Sequence, residues 1–336
     1  MWTSDCIEWI RSRPFSFSAR SCNKWSLNRT ILCGDAAHVF PPFGGQGIAS
    51  GFRDAISLSW RLKLATDPQN TVIDHEALLQ AWYVERKQQL ERSLASTVEN
   101  GNFCNEPSRL KASIRNWYFW IVQLVPSWKH ELQLGGRREG MTKYDWEPGL
   151  PFLPQFGGGK SFPQVFSAPI DGLAPPIPEF TDDAIFAPHK TTVLQLVALL
   201  NSVDDIPTAR VELESLSFSA DKSVMLDLSE ATLIVHNTAT LPTSIFSPSQ
   251  KASASSAESI IRVLDAAEYT AAGLTPAALA TRFPRPEPLF YDPDRIRRDL
   301  GWDKKYVLVR WDRFVFASCK DVDELREAVA AIDGCF

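Results

Sequence analysis

The stretch Thr30-Ile31-Leu32-Cys33-Gly34-Asp35-Ala36-Ala37-His38-Val39-Phe40-Pro41-Pro42-Phe43-Gly44-Gly45-Gln46-Gly47-Ile48, with a helical pattern running on to Ala65, decides how this chain is read. An apolar strand over Thr30 to Cys33 enters the acidic turn Gly34-Asp35. A proline and glycine loop follows, and a long helix opens near Gln46. Strand, acidic turn, glycine loop and helix N-terminus together suit a nucleotide-like cofactor, because helix-end N–H groups and the helix dipole favour an anion. Gly44, Gly45 and Gly47 remove side chains where backbone must approach a ligand. Asp35, at the end of a strand, offers an acceptor pair to ribose or polyol hydroxyls; taken alone, a Gly-Asp pair is more often an Asx turn or helix cap.

The spacing of Gly34, Asp35, Ala36, Ala37, His38, Pro41, Pro42, Gly45, Gln46, Gly47, Gly51, Asp54, Ala55, Leu58, Trp60 and Leu62 resembles the second flavin-contacting motif of the FAD-dependent aromatic hydroxylases, the class A flavoprotein monooxygenases. Leu78-Leu79-Gln80-Ala81-Trp82-Tyr83-Val84-Glu85-Arg86 resembles the helix that follows it. Phe180-Thr181-Asp182-Asp183 and Val307-Leu308-Val309-Arg310-Trp311-Asp312 resemble, more weakly, the thioredoxin-like C-terminal domain of the phenol-hydroxylase branch. The resemblance implies that Asp35 holds the ribityl chain of FAD, with Gly34 and Ala36 beside it in the cofactor-binding set. It implies that the amides around Gly47 and Ile48 stabilise the reduced flavin anion, that the Pro42 carbonyl lies beside a substrate hydroxyl, and that Gly45 and Gln46 belong to the cofactor-binding set. It further implies NAD(P)H as co-substrate and a small aromatic substrate. One departure is Ala49, where many members carry Asn.

Around the motif, Ile48, Phe52, Ala55, Ile56, Leu58 and Leu62 form an apolar face that predicts burial of the helix against a sheet. Arg53 and Asp54 then read as surface or capping charges. His38 has no second histidine or carboxylate at ligand or triad spacing, so it reads as structural or flavin-adjacent. Strand 30 to 33 is expected in a parallel sheet, which needs neighbours and cover on both faces.

Composition sets the frame. The 336 residues are 44% hydrophobic and 22% charged, a globular composition for one large domain or two. A net charge of -5 carries no basic footprint for nucleic acid. The apolar run Trp117 to Val122 is too short to span a bilayer, and Met1 to Asp5 opens no signal peptide, so no membrane partner is expected. Cys6, Cys22, Cys33, Cys104, Cys319 and Cys335 form no Cys-x-x-Cys pair or metal spacing and read as reduced thiols of a cytoplasmic protein.

The fold class expected is α/β: an incomplete FAD-binding region (GD-motif strand plus helices) over 1–134, a Gly- and Pro-rich linker and arm over 135–178, and a thioredoxin-like α/β domain over 179–336. Alternation in Phe15 to Ala19 predicts a strand, and helices are expected over 46–65, 74–100 and 107–126. In the C-terminal domain, strands are expected at 191–200 and 231–236, helices at 206–216 and 257–268, a hairpin around Trp311-Asp312-Arg313, and a last helix over 322–332. No Gly-x-Gly-x-x-Gly turn, the pyrophosphate seat of such enzymes, occurs in the 336 residues. Two readings stand. One is an FAD-dependent monooxygenase hydroxylating a phenolic or polyketide-like molecule, working with a complementary N-terminal FAD-domain polypeptide or as a homodimer. The other is a non-catalytic, truncated remnant acting as an interaction module.

Overall fold

A computed structural model describes residues 8, 10, 11, 13, 14, 16–68, 74–134, 141–170, 179–216, 225–236, 258–265 and 291–336. The chain divides into two compact units, Met1–Ala55 with Arg86–Met141, and Ile56–Glu85 with Thr142–Phe336. The division passes through two helices, α1 (Gln46–Thr66) and α2 (His75–Cys104).

Among the described residues, the first unit contains four short strands. β1 (Arg20–Ser21) pairs antiparallel with β4 (His38–Val39), and β2 (Ser26–Leu27) with β3 (Thr30–Ile31). Asn28 lies in the left-handed region at φ 53°, which lets the chain reverse between β2 and β3. The expected strand over 30–33 is therefore a hairpin arm rather than part of a parallel sheet. No strand forms over 16–19; pairing begins at Arg20, and Phe15 lies outside the described residues. α3 (Arg109–Leu124) is capped by the Ser108 side chain, and Pro126 opens α4 (Pro126–Leu134), so the single expected helix ends at a proline and restarts.

The apolar face assigned to α1 is not the buried one. Ile48 is 78% and Phe52 66% exposed, Ala55 and Ile56 are also exposed, and of the expected set only Leu58 is buried. In the first unit the helix buries Ser50 and Asp54, and in the second Ser57, Leu58, Trp60, Arg61 and Leu64. Ser50, Asp54, Ser57 and Arg61 recur at helical spacing as a buried polar stripe, which periodicity of apolar residues cannot reveal. Buried charge is tolerable only when paired, and each of these charges has its partner.

The second unit is built on a seven-stranded mixed sheet, in order β11-β10-β7-β8-β9-β5-β6. β7 (Leu194–Leu200) and β8 (Thr232–Val235) run parallel, with α6 (Ile206–Leu216) between them in sequence. β10 (Tyr306–Arg310) and β11 (Val315–Cys319) form an antiparallel hairpin, and α8 (Val322–Ala330) follows. The order β11-β10-β7-β8, with β10 antiparallel to β7, is the βαβ and ββα arrangement expected of a thioredoxin-like sheet. Every residue of β7, β8, β10 and β11 is buried, as a sheet covered on both faces requires. Leu196, Leu233, Leu308, Phe316 and Leu325 belong to one apolar cluster, and Val197, Ile234, Val307, Val315 and Ile296 to another.

The helix expected over 257–268 is instead β9 (Ser259–Val263), parallel to β8. Its Ile260-Ile261 and Val263 are β-branched and gain a ladder of hydrogen bonds beside β8, which outweighs the alanine-rich flank. β5 (Phe166–Pro169), from the tract 135–178, and β6 (Glu179–Phe180) complete the sheet, and α5 (Thr181–Ile185) and α7 (Arg295–Leu300) are short. No helix among the described residues is long and apolar enough to cross a membrane.

A wholly buried ionic cluster ties the second unit together. Glu85 accepts from Arg61 Nη2 at 2.7 Å and from Arg310 Nη1 at 2.6 Å. Arg310 also donates to Asp312 at 2.8 and 3.0 Å, and Trp60 Nε1 donates to the same carboxylate at 2.9 Å. The Arg61 guanidinium stacks over the Trp60 ring at 4.1 Å. Burial would raise the Asp312 pKa, but the Arg310 charge and its hydrogen bonds outweigh that and hold it below the usual carboxylate range.

Two predictions follow from this cluster. Glu85→Gln leaves two buried guanidinium groups undercompensated and is expected to cost about 3–5 kcal/mol of stability in urea unfolding. Because the folded pKa of Asp312 is depressed, its contribution is complete above the unfolded carboxylate pKa and is lost as pH falls through the folded value. Circular dichroism should therefore show stability held down to about pH 5 and falling below about pH 4.

Candidate functional site

The motif residues lie in the first unit. Gly34–Ala36 form a short 3-10 turn in which Ala37 N–H donates to the Gly34 carbonyl at 2.9 Å. Gly34 sits in the left-handed region at φ 57°, and a Cβ on it would lie 3.7 Å from the Gly51 Cα. The turn thus rests on α1 one helical turn beyond Gly47. Asp35 is exposed, and its carboxylate has no hydrogen bond or ion pair among the described residues. Ala36 is also exposed.

The loop that follows is set by packing at its base. Pro41 is buried, and the Phe43 ring occupies the space that a side chain at Gly101 of α2 would need, since a Cβ there would lie 2.8 Å away. The Pro42 carbonyl accepts from Gly45 N–H at 3.1 Å, and the Gln46 amide donates to the Gly44 carbonyl at 3.2 Å. Beyond the adjoining backbone, no heavy atom of the described residues lies within 4 Å of where a Cβ on Gly45 or Gly47 would be. Ile48 projects outward from the first turn of α1. The first N–H groups of that helix, those of Gln46, Gly47 and Ile48 among them, have no intrahelical acceptor.

Beneath the turn lies a buried ionic cluster. His38 and Asp54 are 1% and 0% exposed. Asp54 accepts from Gly34 N–H at 3.0 Å, from His38 Nε2 at 2.8 Å and from Arg86 Nε at 2.8 Å. Arg86 also reaches the Ser50 carbonyl and hydroxyl at 3.3 and 3.2 Å and the Gln89 side chain, whose amide in turn donates to the Met141 carbonyl. The His38 ring packs against Trp25 and Phe40, with centroids 5.1 and 5.5 Å away. Burial would raise the Asp54 pKa, but the bond from His38 and the charge of Arg86 hold it below the usual carboxylate range. Burial, reinforced by Asp54, pushes the Cys33 thiol up.

Two expectations are corrected here. Asp54 is neither a surface nor a capping charge, and His38 does have a carboxylate partner. Sixteen positions separate the two residues, and their shared place in the motif does not by itself disclose that they touch. The remaining signal in the sequence was Asp54 itself, a charge on a helix that otherwise looked ready for burial.

The residues present fit the flavin end of FAD. An exposed, unengaged carboxylate suits polyol hydroxyls, open backbone at Gly45 and Gly47 admits a planar ring system, and a helix N-terminus suits an anionic ring edge.

Gly34→Ala is expected to lower stability by about 1–2 kcal/mol through the left-handed backbone alone, since its Cβ would make only ordinary contact. Gly334→Ala, which meets no neighbour within 4 Å, serves as the neutral control in the same urea titration.

Residues 5–93 match the model of a family described as FAD binding domain. A 3-(3-hydroxy-phenyl)propionate/3-hydroxycinnamic acid hydroxylase of Klebsiella pneumoniae is 34% identical over 122 residues, 36% of this chain and 21% of that relative. Its namesake in Escherichia coli is 30% identical over 155 residues, 46% of this chain and 25% of that relative. The aligned part thus spans a quarter or less of these relatives' length. Among solved structures, the anhydrotetracycline hydroxylase OxyS of Streptomyces rimosus aligns with 94% of this chain and 46% of its own, at TM-score 0.49 and 16% identity. An aklavinone-11 hydroxylase in complex with FAD and aklavinone aligns with 95% and 46%, at TM-score 0.47 and 16% identity. The segment that carries Gly34 to Leu62 thus lies within a match to an FAD binding domain, and the chain is similar over part of its length to the two hydroxylases above.

Proposed function

We propose that this chain contributes the flavin-end half of an FAD-dependent monooxygenase that hydroxylates a phenolic or polyketide-like small molecule with NAD(P)H and O₂, in secondary metabolism and in the cytoplasm. The observation that carries the reading is the open, unengaged array of Asp35, Gly45, Gly47 and the α1 N-terminus, built on a segment that matches an FAD binding domain. In the proposed roles, Gly34, Asp35 and Ala36 hold the ribityl chain. Gly45, Gln46, Gly47 and Ile48 present N–H groups to the ring edge, and the Pro42 carbonyl faces the substrate. Bound there, FAD would supply the oxygen-activating chemistry; the protein's part is to position it, to present donors to its anionic edge and to exclude water.

The proposal divides the chain into a partial FAD-binding region over 1–134, an arm over 135–178 and a thioredoxin-like domain over 179–336. Its pyrophosphate-binding half comes from a complementary polypeptide or a longer gene product, or the protein works as a homodimer. The outward-facing Ile48 and Phe52 support such cover, because apolar side chains grouped on one helix face favour burial. The same exposure, with no Gly-x-Gly-x-x-Gly turn in the sequence, also favours the second reading, a non-catalytic interaction module.

Titration of the purified chain with FAD, followed by flavin fluorescence and visible absorbance, separates the two. The hydroxylase reading predicts saturable binding. It predicts that Asp35→Ala weakens it about tenfold or more, the worth of one charge-assisted hydrogen bond. Gly47→Ala should leave thermal stability intact, its Cβ meeting no protein atom, yet weaken flavin binding because that Cβ occupies the ligand's side. A chain that rejects FAD supports the interaction module.

A further inference from the structure

We infer that Asp54 is a positioning residue for the flavin end of the site, holding the backbone from which Asp35 presents its carboxylate. This rests on the FAD reading above for its consequence, but its geometry is independent of it. Asp35 has no partner of its own among the described residues, so its place is set by the backbone of the Gly34–Ala36 turn. That turn is tied to α1 through the Gly34 N–H, whose acceptor is Asp54 Oδ2 at 3.0 Å.

Three donors converge on the Asp54 carboxylate: a backbone N–H from the turn, Nε2 of His38 on β4, and Nε of Arg86 on α2. An ionised carboxylate only accepts, so Nε2 of His38 donates. His38 Nδ1 has no hydrogen-bond partner among the described residues. An amide could not replace the carboxylate, because its NH₂ would face one of the three donors. Arg86 offsets the buried charge and is itself fixed by Ser50 and Gln89. The carboxylate therefore joins the acidic turn and β4 to α1 and α2, and any loosening of it is felt first at Gly34 and Asp35.

The test reads the Gly34 amide in the full chain labelled with ¹⁵N-glycine, without added FAD. In the wild type this amide should exchange slowly with solvent; exchange at the rate of an unprotected amide overturns the inference outright, whether or not any variant folds. The double variant Asp54→Asn with Arg86→Gln removes the pair without stranding a buried charge. It should release Gly34 by about tenfold or more while glycines of the second unit such as Gly158 keep their rates, and should weaken FAD binding about tenfold with a visible spectrum closer to free flavin. A folded double variant with unchanged Gly34 exchange and unchanged FAD affinity overturns the inference. A wild-type chain with a protected Gly34 amide but no affinity for FAD instead refutes the hydroxylase reading and leaves the structural role of Asp54 standing.

Discussion

Charge taken out of water must be paired, and the two units depend on that constraint. Glu85 and Arg86 are neighbours in α2 yet serve different units: Glu85 sits between Arg61 and Arg310, while Arg86 sits on Asp54. Each grouping is buried and completed by further donors: Trp60 donates to Asp312, which also pairs with Arg310, in one case, and Gly34 with His38 donates to Asp54 in the other. Removing one partner of such a pair leaves an uncompensated charge, far costlier than an ordinary surface substitution. Charged residues on α1 and α2 therefore specify which faces turn inward, more than the apolar residues do.

This explains what was legible in the sequence and what was not. The motif from Gly34 to Leu62, the helices expected over 46–65 and 206–216, and the hairpin around Trp311-Asp312-Arg313 were all readable, because each rests on local spacing or turn chemistry. The buried face of α1 was misread. A periodic count finds Ile48, Phe52 and Ile56 and has no means of knowing that Asp54 and Arg61 meet partners 32 and 24 positions away. β9 was missed for a related reason: Ser259 to Val263 has local preferences of both kinds, and β8 decides the matter only once the chain has folded.

At the candidate site the division is similar. The ligand-facing groups, Asp35 and the glycines of the loop, announce themselves by residue type. The groups that hold them, His38, Asp54 and Arg86, do not, because their roles exist only in three dimensions. Phe43 against Gly101 belongs to the same class, a contact across 58 positions that seats the loop on α2. A glycine inside a long helix is a local weakness, and here it makes room for the ring at the base of the loop.

The acidic turn and the helix N-terminus suit the ribityl and isoalloxazine end of a flavin, and the sequence contains no glycine turn of the kind that seats a pyrophosphate. The central claim is that recognition by this chain lies at the flavin end. Equilibrium dialysis of the full chain with riboflavin and, separately, with ADP tests it most directly. The account predicts that riboflavin binds and competes with FAD while ADP does neither. Binding of ADP in preference to riboflavin, or of neither, would contradict it.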